Sequence, residues 1–262
     1  MIHATAVVSP KAQIAQNVEI GPFCIVEDDV EIGEGTVLMG HVTIANGARI
    51  GKDVRIHPGA VISTAPQDLK YRNEPTLAII GDRTVIRECA TVNRGTASSG
   101  KAVVGSDCLL MAYTHVAHDC VVGNNVIMAN TVQLGGHVEV GDWAIIGGVT
   151  GVHQFCRIGA HTMVGACSRV VKDIPPFTLT GRDPLVVQGI NAVGLRRRGF
   201  SNEVIEKIDT FYNVILRSGL NTSDGIQHYE DTTPEIDPAV ADCITFIRSS
   251  KRGVYRGSTT RS

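Results

Sequence analysis

Every sixth residue from Val104 to Val170 is aliphatic or Met: Val104, Leu110, Val116, Val122, Met128, Leu134, Val140, Ile146, Val152, Ile158, Val164 and Val170. The same comb runs from Ile2 through Val8, Ile14, Ile20, Val26, Ile32, Leu38, Ile44, Ile50 and Ile56 to Ile62. The gaps from Ile62 to Ile80 and from Val92 to Val104 are whole multiples of six, so insertions interrupt the comb without shifting its phase. Two residues before most teeth sits a small or apolar residue, as at Val18, Cys24, Val54, Cys108, Cys120, Val138 and Cys156. Positions i−2 and i share one face of a strand. Each hexad therefore reads as a short strand with two inward side chains followed by a turn, with Gly, Asn and Asp expected in the turns. This period is the signature of a parallel β-helix. Three hexads, eighteen residues, close one triangular coil, and coils stack at about 4.8 Å, the spacing of paired strands. A buried aliphatic tooth contributes roughly 1.5–3 kcal/mol, so the core is ample. The alternation of a β-sandwich does not hold one phase over such a length.

Coils are expected over residues 1 to about 62, with a polar, proline-bearing surface loop over 63–78 and a second insertion over 96–102. They continue to about Val171, and Pro175-Pro176 is expected to end them. The remainder changes period. Ile190, Val193 and Leu195 suggest a short helix ending at Gly199. Ser201 is a candidate N-cap for a helix over Glu203 to Ser218, with Val204, Ile208, Phe211 and Ile215 inward and Gly219 as its stop. A last helix is expected from about Pro238 to Ser250, followed by a loose polar tail after Gly253. The expected fold is mainly β: a β-helix over 1–182 and an α-helical cap over 183–262.

A net charge of −2 argues against a nucleic-acid partner held by bulk charge. No apolar run has the length of a membrane span, and no charged-then-apolar leader opens the sequence. Seven cysteines are present, and Cys24, Cys108, Cys120 and Cys156 take inward positions of the hexad. They read as packing residues rather than disulfides or metal ligands, which fits a reducing cytoplasm.

The eighteen-residue coil also serves as a ruler. It stacks His118, Gly136 and Gln154 in one column and Asp119, His137 and Phe155 in the next, at one edge of the prism, with His115 and His153 close by. A His beside a carboxylate is a natural general base, because its pKa lies near working pH and the carboxylate fixes its tautomer. Gly136 lets a backbone N–H approach a reacting oxygen. No serine nucleophile is evident, and the slot of Cys120 points inward, so the site suits direct attack by a substrate hydroxyl or amine without a covalent enzyme intermediate.

His115-Val116-Ala117-His118-Asp119-Cys120, Gly135-Gly136-His137-Val138, Val152-His153-Gln154-Phe155, Gln67-Asp68-Leu69-Lys70-Tyr71 and Leu195-Arg196-Arg197-Arg198-Gly199-Phe200 together resemble the UDP-N-acetylglucosamine acyltransferase family over nearly the whole chain. The resemblance implies a cytoplasmic homotrimer of left-handed β-helices that opens lipid A biosynthesis. It moves an (R)-3-hydroxyacyl group from the phosphopantetheine thioester of acyl carrier protein to the sugar's 3-position, with no further cofactor and no metal. By motif, His118 becomes the general base, Asp119 its orienting partner and Gly136 the oxyanion donor. Asp68, Lys70, His115, His137, His153, Gln154 and Asn191 become substrate contacts. Arg197 and Arg198 meet phosphate or the acidic carrier protein. Three positions depart from the family pattern: Asn93 replaces a usual His, Val193 a usual acid at the uracil end, and Ala166 a usual Gly at the acyl-length ruler, where a methyl shortens the groove. Other β-helix acyltransferases, including those with a 3-amino acceptor, are the nearest alternative. A zinc enzyme that hydrates carbon dioxide leaves Asp119, Lys70 and Arg197 unexplained. A noncatalytic scaffold leaves the polar convergence at one edge unexplained.

Overall fold

A computed structural model describes residues 1–257. The chain winds through three sheets of nine, eight and ten strands, visiting them in turn, with every pairing parallel except the last. Face 1 holds Val7–Val8, Ile25–Val26 and every third strand on to Arg169–Val170; face 2 runs from Gln13–Ile14 to Arg157–Ile158; face 3 starts at Glu19–Ile20. His115 pairs with Gln133 and Val116 with Leu134, eighteen residues on, as the ruler requires. Where the chain carries insertions the pairing skips them: Val61 pairs with Thr91, and Leu77 with Lys101. The looped-out residues lie between Thr64 and Leu77 and between Asn93 and Lys101. Both segments leave the turn joining face 1 to face 2, the 1/2 edge, which also carries His118. Inward teeth and their small i−2 partners fill one continuous core, with Cys24, Cys108, Cys120 and Cys156 inside it. All seven cysteines are free.

The turns differ from expectation. One residue in each takes a left-handed backbone, at Asp107, Tyr113, Asp119, Asn125, Thr131, His137, Trp143, Val149, Phe155, His161 and Cys167. Many are neither Gly, Asn nor Asp, although that conformation costs an L-residue about 1–2 kcal/mol. Stacking offers compensation, because coil pairing places these side chains over one another. The rings of His137 and Phe155 lie 4.5 Å apart at 10°, and Trp143, His161 and Phe177 form a second ladder with spacings of 6.4 and 5.4 Å.

Pro175-Pro176 does not end the winding. Thr178–Gly181 pairs parallel to Met163–Val164, in a shortened coil, and then antiparallel to Val186–Ile190. Ile190 therefore ends a strand rather than opening a helix. The cap consists of α1 (Ala192–Arg197), α2 (Asn202–Arg217), α3 (Thr222–Thr232) and α4 (Pro238–Arg248). Val193 is 60% exposed; α2, capped by Ser201, buries Ile208, Phe211 and Ile215 as expected, adds Ile205 and Tyr212, and leaves Val204 half-buried. The sequence reading missed α3, whose apolar face is little more than Ile226 and Tyr229. Gly225 lets it pack closely, since a Cβ there would lie 3.3 Å from Ile215. The segment after Gly253 is also docked. The amide of Tyr255 donates to the Asp173 carbonyl at 2.9 Å, and its hydroxyl accepts from the Val171 amide at 2.9 Å. Residues 258–262 of the expected loose tail lie outside the described residues. No helix among the described residues is long and apolar enough to cross a membrane.

Ile146 is fully buried in the middle of the stack. Ile146→Asp places an unpaired charge there and is expected to leave the chain insoluble or unfolded by circular dichroism and gel filtration.

Candidate active site

His118 and Asp119 occupy one turn of the 1/2 edge. Asp119 takes the left-handed backbone common to these turns. The His118 Nδ1 lies 2.8 Å from Asp119 Oδ2, and the carboxylate is fully buried. Asp119 also accepts from the Thr96 amide at 2.9 Å, from the Thr96 hydroxyl at 2.7 Å and from the Ser99 hydroxyl. Burial alone would raise the pKa of this carboxyl. The donors from Ser99, Thr96 and His118 outweigh that and hold it well below the carboxylate range. Asp119 is thus an anion at neutral pH that accepts the Nδ1–H of His118, which leaves the Nε2 lone pair free to take a proton.

Gly136 forms the floor under that ring. A Cβ added to it would lie 2.5 Å from His118 Cε1 and 2.6 Å from Nε2, so no other residue fits without displacing the imidazole. Its amide has no hydrogen-bond acceptor among the described residues. A cleft of about 620 Å³ opens over this point, lined by Gln67, His115, His118, Gly136, His153 and Gln154 together with Arg169. Burial, and then the neighbouring charge of His118, lowers the pKa of His115; its Nδ1 lies 2.7 Å from the Thr91 hydroxyl. His137 stands on the other side of the pair. Its Nε2 is 3.6 Å from Asp119 Oδ2, and its ring meets that of His118 edge-on at 5.2 Å. It lines a separate cavity of about 580 Å³ with Phe155, Arg157 and Arg252.

The other expected site residues are more dispersed. Asp68 accepts from the Lys70 amide at 2.9 Å inside the long insertion, and it is Gln67 that lines the cleft. Asn191 caps α1, accepting from the Gly194 amide and donating to the His161 carbonyl. Arg198 lies over the Trp143 ring, with its guanidinium 3.4 Å from His161 Nδ1. Burial, and then the Arg198 charge, pushes His161 down to about 4, so it stays neutral and accepts. Arg197 is exposed. Asn191 and Arg198 therefore gather at the 2/3 edge, beside His161, whereas His118 belongs to the 1/2 edge. Ala166 is exposed in a turn of the remaining, 3/1, edge. Sequence reasoning missed Thr96 and Ser99, because the insertion carrying them breaks the ruler. It also missed Arg252, which reaches His153 Nδ1 at 3.2 Å across the fold. Arg169 could have been found: it shares an outward column with His115, Gln133 and Gly151 at intervals of eighteen.

His118, Asp119 and His137 place candidate ligand atoms within 4.8 Å of one another. A cation there would have to displace donors from an Asp119 carboxylate already engaged by Thr96, Ser99 and His118. The arrangement fits a proton-transfer pair better than a metal centre.

Residues 173–255 match the family described as Udp N-acetylglucosamine O-acyltransferase, Domain 2, and residues 11–46, 29–64 and 101–136 match the bacterial transferase hexapeptide repeat. The acyl-[acyl-carrier-protein]–UDP-N-acetylglucosamine O-acyltransferase of Janthinobacterium sp. (strain Marseille) is 46% identical, over 98% of this chain and 99% of that protein. The chain belongs to the UDP-N-acetylglucosamine O-acyltransferase family. The UDP-N-acetylglucosamine acyltransferase of Bacteroides fragilis 9343 superposes with a TM-score of 0.96 at 46% identity, over 98% of this chain and 100% of that one. That of Francisella novicida gives 0.95 at 40% identity, over 99% and 95%. Membership fixes the hand of the coil: this is a left-handed parallel β-helix of an acyltransferase family, closed by an α-helical region.

Gly136→Ala is expected to keep the fold, shift the His118 ring and lower turnover by at least about a hundredfold, the lower end of what general-base catalysis supplies. Steady-state rates and circular dichroism check it. The depressed pKa of Asp119 has a sign. Its contribution to stability is complete above the unfolded value, near 3.9, and is lost as pH falls below that toward the folded value. Thermal melts are expected to show Asp119→Asn less stable than the parent at pH 7, with the gap narrowing in acid.

Proposed function

We propose that this chain transfers an (R)-3-hydroxyacyl group from acyl carrier protein to the 3-hydroxyl of UDP-N-acetylglucosamine, the first step of lipid A biosynthesis, in the cytoplasm. The substrates follow from the names of its full-length relatives. The observation that carries the chemistry is an ionised, buried Asp119 on the inner nitrogen of His118, with the outer nitrogen seated over Gly136 in an open cleft. His118 Nε2 removes the proton from the sugar hydroxyl as its oxygen attacks the thioester carbonyl. The Asp119 anion stabilises the imidazolium that forms. The negative charge developing on the carbonyl oxygen falls to the Gly136 amide. Collapse breaks the carbon–sulfur bond. The departing phosphopantetheine thiol takes the proton back from His118, leaving an ester and the base as it began.

A homotrimer completes the reading. On face 3 the outward side chains form an apolar ladder of Val85, Leu109, Ile127, Ile145 and Met163, and the 3/1 edge exposes Tyr113 and Val149. A threefold axis along that edge lays face 3 of one protomer on face 1 of the next. The 2/3 edge, with Asn191, Arg197 and Arg198, then lies beside the neighbour's 1/2 edge, with His118. In this arrangement the two arginines serve phosphate and the acidic carrier protein. Asp68, Lys70, His115, His137, His153 and Gln154 hold the sugar and the arm of the donor, and Ala166 stands at the far end of the acyl groove.

His118→Ala is expected to lose about 10²- to 10⁴-fold in turnover while eluting as the parent oligomer. The assay incubates protein, UDP-N-acetylglucosamine and hydroxyacyl carrier proteins of graded length, with mass spectrometry of the sugar product. A variant as active as the parent refutes the base assignment. Equal use of every chain length refutes the role of Ala166.

A further inference from the structure

The insertion over 96–100 has no place in the hexad and no role in the reaction as described above, yet its fold is built around Asp119. It leaves the prism at Gly95, whose position is crossed so closely by the Lys101 backbone that a side chain there would collide with it. It closes through a hydrogen bond from the Gly100 amide to the Thr96 carbonyl at 2.8 Å, with Gly100 in a left-handed backbone at φ 75°. Thr96 and Ser99 lie 23 and 20 residues before Asp119, on the adjacent coil, where Thr91 pairs with His115. The loop delivers three donors to one carboxylate: the Thr96 amide, the Thr96 hydroxyl and the Ser99 hydroxyl. Oδ1 takes the Thr96 amide and Ser99, and Oδ2 takes the Thr96 hydroxyl and His118 Nδ1. The carboxylate thereby has no rotational freedom and faces the imidazole with one chosen oxygen. Thr96 is buried, whereas Ser99 lies on an exposed rim, where the Lys101 carbonyl at 2.8 Å is a second acceptor for its hydroxyl.

We propose that Thr96 and Ser99 are positioning residues for the acyl transfer: they clamp Asp119 so that it holds the His118 ring with Nε2 over Gly136. The proposal rests on the reading of His118 as the base. Both hydroxyls lie against Asp119, so in this reading they act on the reaction through its carboxylate. Without them a fully buried carboxylate loses the donors that offset its desolvation, and the His118 ring loses its fixed partner. An anion's hydrogen bond of this kind is worth roughly ten- to hundredfold in an equilibrium or rate.

The test uses the full chain with acyl carrier protein donor and UDP-N-acetylglucosamine. It compares the parent with Ser99→Ala, Thr96→Val, Ser99→Thr, Asp119→Ala, His118→Ala and the double variant Ser99→Ala with Asp119→Ala. Ser99→Ala is expected to lower kcat about ten- to hundredfold with KM for either substrate within about twofold, and Thr96→Val at least as much. Ser99→Thr, which keeps the hydroxyl, restores kcat. In the Asp119→Ala background, Ser99→Ala costs nothing further, because the group it acts through is gone. Ser99→Ala and Thr96→Val with parental kcat, beside an inactive His118→Ala, overturn the clamp and leave the base assignment standing. So does a Ser99→Ala effect as large without Asp119 as with it. A fully active His118→Ala instead overturns the base assignment and the clamp together. Gel filtration and thermal melts on each variant separate a kcat loss from unfolding; a kcat loss that tracks the unfolded fraction also overturns the proposal.

Discussion

Parallel pairing between residues eighteen apart is the constraint on which the structure depends. Short strands of about two residues have little stability alone, and each is held by neighbours above and below and by two inward side chains. Because every coil repeats the same register, any side chain placed in a turn is copied upward into a column. That is why aromatic and imidazole rings stack at the edges, and why left-handed conformations at residues such as Trp143 and Phe155 are tolerated. Rigidity at each edge comes from the same source. A turn that is one of many stacked turns cannot drift, so a catalytic group fixed to it is placed to within the spacing of two strands.

The prism edge becomes a site when this regular frame is interrupted. Both insertions leave from the 1/2 edge, and they serve different ends. The longer one is pinned by Arg94, which donates to the Tyr71 hydroxyl at 2.9 Å and to carbonyls of Asn46 and Ser63, and it places Gln67 over the cleft. The shorter one closes over Asp119. The result is a buried anion in a place where the insertion adds the Thr96 and Ser99 donors to the one that the coil supplies, His118. Its charge is kept by hydrogen bonds rather than by a cation, which leaves the imidazole as the nearest group able to gain a proton. That electrostatic arrangement favours proton transfer at His118 Nε2.

The fold was legible because its period is short and its phase never slips: Val116, Leu134 and Val152 announce one wall of the core without any knowledge of the rest. The column of His118 with Gly136 and Gln154 was legible for the same reason, since a constant coil length turns sequence separation into distance. Reading became unreliable where that ruler stops. Helix α3 was missed because its apolar residues are too few to show a period and Gly225 counts against a helix. Ile190 was read into a helix because the partner of its strand, Thr178–Gly181, follows a pair of prolines. The end of the chain was taken as loose because nothing local shows that Tyr255 reaches back to Val171 and Arg169.

The sequence by itself determined the coil, its core, the edge at which polar groups converge and the His–Asp pair within one turn, all of them properties that depend on spacing along the chain. Only the tertiary structure decided which donors surround Asp119, that Gly136 is the seat of the ring, and that Asn191 and Arg198 stand at a different edge from His118. Those facts rest on contacts between segments separated by insertions or by the whole length of the prism. Loop closure can bring such segments together in many ways that the residues between them do not distinguish, and only the packed chain selects one of them.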